Sequence, residues 1–290
     1  MTHMRHRKWE DSVNRKKNFS CAPGYFLLVA FFLVPQFAFS QASAVATPVR
    51  DQKPAAPAAQ QSTRGQMSQL ERALNDWPFL SRYRDADEEL PPPAPGETRV
   101  VFMGDSITEG WGRKESATFP DRAEFFPDKP YINRGISGQT TPQMLVRFRQ
   151  DVIDLQPKVV VLLAGTNDIA ENTGKTTPRD IENNIASMSD LARANEIRLV
   201  LCAVLPASDF PWRPGLDPAP KIRALNAWIK EYAAKNGFVY VDYYSSMATS
   251  DGGLKAELSL DGVHPNKAGY QIMAPLVEAG IEEAMKKPLP

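Results

Sequence analysis

The residue pattern predicts an α/β fold in which a parallel sheet of about five strands is covered by helices on both faces. Three observations predict it. Short apolar runs without helical spacing recur at residues 100–103, 131–133, 159–163, 199–203 and 238–241. Helical stretches of ten residues or more lie between and after them, at 139–148, 178–195, 220–236 and 266–285. Strands alternating with helices of that length imply βαβ crossovers, which make neighbouring strands parallel and bury the sheet on both sides. Pro178 near a helix start, with Asn195 and Gly237 at helix ends, agrees with ordinary start and stop chemistry.

The chain divides into four parts. Residues 1–44 read as a signal peptide: a basic leader, ten unbroken apolar residues at 25–34, and small-residue sites at 38–40 and 42–44. The apolar run is shorter than the roughly 20 residues of a spanning helix, although 35–39 could extend it into an uncleaved anchor. Residues 45–66, rich in Ala, Pro, Gln and Ser, have too few large apolar side chains to form a core and read as a linker. Residues 67–98 read as a helical brace, with Met67, Leu70, Leu74 and Trp77 on one face and Leu80 and Tyr83 on a second short piece, closed by Pro91, Pro92 and Pro93. The main domain is expected over 99–287.

Charge and cysteine content narrow the function. The whole chain carries 34 basic and 34 acidic residues; without the first 44 it keeps 28 and 32, a net of −4. A mildly acidic body argues against nucleic acid as partner. Cys21 precedes the apolar run and Cys202 lies in a hydrophobic segment, so the second reads as a small buried hydrophobe.

Chemistry concentrates where strands should end. Arg99 to Met103 run directly into Gly104-Asp105-Ser106, which delivers Ser106 to a strand's carboxyl end, the edge at which open α/β sheets bind ligands. The second strand is followed by Asn133 to Thr140, including Gly138, and the third by Gly165-Thr166-Asn167-Asp168. Leu260-Asp261-Gly262-Val263-His264 precedes the last helix. A serine hydroxyl needs a base, and His264 is the one histidine outside the leader. Asp261, three residues earlier, can hold its ring in the required tautomer. Backbone N–H groups at Ser106 and Gly138 and the Asn167 amide are candidate oxyanion donors. Asp105 and Asp168 are expected to bind within loops. Trp111 and Trp212 are candidates for lining the substrate pocket, Trp111 equally for packing, and the loop 205–218 should overhang the same edge.

Taken together, these four segments resemble the SGNH (GDSL) hydrolase family of serine esterases and lipases, over about residues 99–285. The resemblance implies a three-layer flavodoxin-like fold. It further implies Ser106, Asp261 and His264 as a triad, with Ser106, Gly138 and Asn167 as an oxyanion hole. The expected reaction is hydrolysis of carboxylic esters through an acyl-enzyme, with no cofactor and no metal. The expected substrate is a small-molecule or glycan ester bearing a short acyl group; lysophospholipase and thioesterase activities fall within the same family. An α/β-hydrolase would show a Gly-x-Ser-x-Gly elbow, which is absent here. A metal-dependent phosphoesterase would usually draw on several imidazoles. A non-catalytic glycan-binding module would leave the triad without use. The leader implies an exported protein, periplasmic or secreted, with no stable membrane insertion if it is cleaved and a membrane tether if it is not.

Overall fold

The computed structural model describes residues 74–112 and 123–289. The expected signal peptide and linker, with Met67 and Leu70 of the brace, lie outside the described residues.

Five strands, β1 (Val100–Gly104), β2 (Tyr131–Gly135), β3 (Val159–Leu163), β4 (Arg198–Cys202) and β5 (Val239–Val241), form one sheet in the order β2-β1-β3-β4-β5. Every neighbouring pair is parallel. This is the flavodoxin-like order, whose switch point lies between β1 and β3. Because side chains alternate along a strand, each strand feeds two cores. Val101, Met103, Val160, Leu162, Leu199 and Leu201 join one core, and Val100, Phe102, Val159, Val161 and Val200 the other.

The first core is closed by α3 (Thr141–Asp151), α5 (Pro178–Ala194) and α6 (Pro218–Asn236), the second chiefly by α8 (Lys267–Lys286). Caps fix these helices where the chain chemistry predicts. Pro178 opens α5 behind Thr177, whose hydroxyl accepts from the Asp180 N–H at 3.3 Å. Asn195 caps its end, and Gly237, at φ +73°, turns the chain out of α6. Asn266 caps α8 by accepting from the Gly269 N–H at 3.1 Å.

The short elements α2 (Ser106–Gly110), α4 (Thr166–Ile169) and α7 (Tyr243–Met247) carry no sequence periodicity and were not foreseen. β2 is longer than expected: Arg134 and Gly135, read as loop, continue in register with Met103 and Gly104. The paired glycines explain how α2 seats on the strand ends. A Cβ on Gly104 would lie 2.0 Å from Thr108 Oγ1, and one on Gly135 2.1 Å from the Glu109 nitrogen.

Ahead of β1, the only regular element among residues 76–99 is α1 (Arg84–Glu88). Leu74 and Trp77 are exposed rather than packed on an apolar face. The segment is held by polar contacts instead. Gln143, Gln139 and Gln150 donate to the carbonyls of Trp77 (2.7 Å), Pro78 (2.8 Å) and Leu80 (2.6 Å). Arg134 Nε donates to Asp87 at 2.8 Å, and the Tyr83 hydroxyl donates to the Gly135 carbonyl.

Candidate active site

Ser106 begins α2, directly after β1. Its predecessor Asp105 is fully buried and caps the helix, Oδ1 accepting from the Ile107 N–H at 2.9 Å. Behind the turn, the Tyr270 hydroxyl of α8 donates to the Ile107 carbonyl at 2.7 Å. The serine is therefore held by its own cap and by the last helix. Burial pushes the Asp105 carboxyl up to about 6, against the lowering effect of the Ile107 N–H and of His264.

His264 lies 158 residues away in sequence, yet its Nε2 is 2.9 Å from Ser106 Oγ. Its Nδ1 is 2.7 Å from Asp261 Oδ2. Asp261 Oδ1 meanwhile accepts the backbone N–H groups of Val263 and His264 at 3.0 and 2.8 Å. Burial raises the pKa of Asp261, but the bonds from the His264 ring and backbone outweigh it and hold this carboxyl well below the usual range. An ionised carboxylate only accepts, so Nδ1 carries the ring proton and Nε2 can accept from Ser106. Ser259 braces the turn, its Oγ donating to the His264 carbonyl at 2.8 Å and accepting from the Gly262 N–H at 3.0 Å.

Asn167, in α4 after β3, is 2% exposed. Its Nδ2 donates to the Gln139 carbonyl at 3.0 Å and to Asp105 Oδ2 at 3.3 Å, which brings it against the residue preceding Ser106. Gly138 stands in the loop after β2 at φ +79°, a conformation glycine adopts without penalty. Asp168 accepts from the Thr141 N–H at 2.9 Å and hydroxyl at 2.6 Å, tying α4 to the start of α3 as a loop-bonding residue.

The two tryptophans part company. Trp111 is 4% exposed and packs among Phe102, Phe125, Phe126 and Tyr270, so the pocket-lining expectation for it is corrected to core packing. Its position one turn after Ser106 does not bring it to the edge, because α2 directs it onto the apolar face of β1. Trp212 is 40% exposed, stacks on the buried Phe210 and has its ring centroid 6.1 Å from that of His264. The loop 205–218 thus reaches the serine edge, as expected. Leu260, 72% exposed, directly precedes Asp261. Asn172, which sequence reading did not single out, donates to Asn167 Oδ1 at 2.7 Å. An asparagine in a polar turn carries no periodicity that would mark it.

A family model described as GDSL-like Lipase/Acylhydrolase matches residues 102–272, more than half of the chain. The chain belongs to the GDSL-like lipase/acylhydrolase family. The fold of this GDSL-like protein is shared with a GDSL-like lipase of Bacteroides thetaiotaomicron, 46% identical with a TM-score of 0.67. That likeness covers 72% of this chain and all of that one. Among curated relatives, an acetylxylan esterase of Xylanibacter ruminicola is 26% identical over 223 residues, 67% of this chain; the GDSL-like chain spans only 45% of that relative's length. An acetylxylan esterase of Geobacillus stearothermophilus is 26% identical over 208 residues, covering 61% of this chain and 90% of the relative.

Proposed function

We propose that this GDSL-like protein hydrolyses carboxylic esters with Ser106 as nucleophile, His264 as general base and acid, and Asp261 as the group that orients the imidazole. The observation that carries the reading is the line from Ser106 Oγ to His264 Nε2 (2.9 Å) and from Nδ1 to Asp261 Oδ2 (2.7 Å). Ser106 Oγ attacks the ester carbonyl carbon while its proton passes to Nε2. The imidazolium so formed is stabilised by the Asp261 carboxylate. Charge on the carbonyl oxygen is received by the N–H groups of Ser106 and Gly138 and by the Asn167 amide. The tetrahedral species expels the alcohol, which takes the proton from Nε2, and leaves an acyl-serine. Water then attacks that ester with Nε2 as its base, and the acid departs as Ser106 regains its proton.

The substrate class follows from the rim and the relatives. Trp212 offers a flat, partly exposed indole beside His264, a surface suited to the apolar face of a sugar ring. Two relatives are named for acetylxylan, so an acetyl ester of a carbohydrate is the proposed substrate and a glycan or small-molecule ester the partner. The basic and apolar leader supports export to the periplasm or outside the cell. Among the described residues, no helix is long and apolar enough to cross a membrane.

Acetylated xylan, lysophospholipid, acyl thioesters and aryl esters of increasing acyl length, assayed side by side, test both parts. Acetyl esters are expected to turn over fastest, and Ser106→Ala to abolish turnover with the fold intact. Unchanged turnover in Ser106→Ala would refute the nucleophile.

A further inference from the structure

An asparagine amide serves an oxyanion only if its nitrogen, not its oxygen, faces the reacting carbonyl, and the two ends of a carboxamide are nearly alike in shape. Neighbours must tell them apart. At Asn167, Nδ2 donates to Gln139 O at 3.0 Å and to Asp105 Oδ2 at 3.3 Å, the longer of which an oxyanion would displace, and Oδ1 accepts from Asn172 Nδ2 at 2.7 Å. Asn172 has the same ambiguity, and Trp212 resolves it. An indole N–H only donates, and Trp212 Nε1 lies 3.0 Å from Asn172 Oδ1. With its oxygen held there, Asn172 presents Nδ2 to Asn167, and the same nitrogen reaches the Gly138 carbonyl at 3.3 Å. One side chain therefore touches both Asn167 and Gly138.

The surrounding loops keep this arrangement in place. The Asn172 N–H donates to the Asn167 carbonyl at 3.0 Å, and positive φ at Glu171 and Gly174 folds the loop back on itself. Arg213, next to Trp212, pairs with Glu171 at 3.3 Å, and Phe210 stacks under the indole with centroids 5.1 Å apart.

We propose that Asn172 is a positioning residue for the oxyanion donors and that Trp212 sets its orientation. Contact of substrate with the exposed indole is thereby linked to the amide that receives the developing charge. The inference rests on the ester-hydrolysis reading above.

The test uses the full chain and p-nitrophenyl acetate. A wild type that does not cleave this ester overturns both readings; cleavage by wild type but not by Ser106→Ala isolates the present one. Asn172→Asp keeps the shape but cannot donate to Asn167, and it should lower kcat by about 10- to 100-fold with KM within about twofold, less than loss of a direct donor. Trp212→Phe keeps a ring beside His264 and removes the N–H; a kcat about 3- to 10-fold lower is expected, the exposed position letting it fold even if Asn172→Asp does not. Because the indole acts through Asn172, the double variant should be no worse than Asn172→Asp alone. Wild-type kcat in either single variant, loss confined to KM, or multiplying losses in the double variant would overturn the proposal.

Discussion

Asp105 precedes the serine and has a different part in the site. Its buried carboxyl caps α2 and accepts from Asn167, at the cost of a pKa pushed up to about 6 from 3.8. The folded protein thus holds this proton more tightly than the unfolded chain does. Between about pH 4 and 6, stability should therefore fall as pH rises, levelling off above 6. Asp105→Asn retains an oxygen acceptor for Ile107 and removes the titration, so its melting temperature should decline less through that window; parallel profiles would count against the assignment. Asn167 gives a sharper functional expectation. If its amide receives oxyanion charge, Asn167→Ala should lower kcat by about 10²- to 10³-fold, and a smaller loss would leave it as loop scaffolding. The serine, the aspartate and the histidine were legible in the sequence because each chemistry needs a particular residue type at a strand end or turn. Asn172 was not, since its part depends on an indole 40 residues onward that only folding brings near. Trp111 stayed open between pocket and packing because spacing from Ser106 says nothing about the face to which a single turn of helix directs a ring.

At the level of elements, the site depends on how strand ends are held. Arg147 of α3 is wholly buried, donating to Asp151 at 2.8 Å, to Gln139 at 2.5 Å and to the Gly104 carbonyl at 3.1 Å. It ties a helix to the last residue of β1, two positions before the serine. Arg147→Ala leaves the Asp151 carboxylate buried without its cation, and urea denaturation should show a loss of about 3–5 kcal/mol. Long helices were readable from caps and spacing to within a few residues, as at Pro178 and Gly237. Single-turn helices such as α2 and α4 were not, because four or five residues span too little of a period to show one. The existence of α2 follows from its capping aspartate and from glycines at 104 and 135 that admit a helix against the sheet.

Across the molecule, β1, β3 and most of β4 are plain in the sequence because apolar runs covered on both sides leave a clear mark. The contacts of residues 76–99 left none: three glutamines of α3 and its approach reach main-chain carbonyls, which any residue supplies. Several such bonds at about 0.5–1.5 kcal/mol each, with the Asp87–Arg134 pair, imply that a chain beginning at residue 99 melts on the order of 10 °C below the full chain, as calorimetry would record. Tyr83 binds the carbonyl just ahead of the Gly138 turn, so the shortened chain should lose activity as well as heat resistance. The span that the family model matches, 102–272, omits this strap and stops short of Val277, Ile281 and Ala284, which α8 buries against the sheet. An expression fragment trimmed to that span would consequently bare one flank of the sheet while unfastening the ledge beside the serine, and its failure in an assay would report on where the scissors fell rather than on the chemistry.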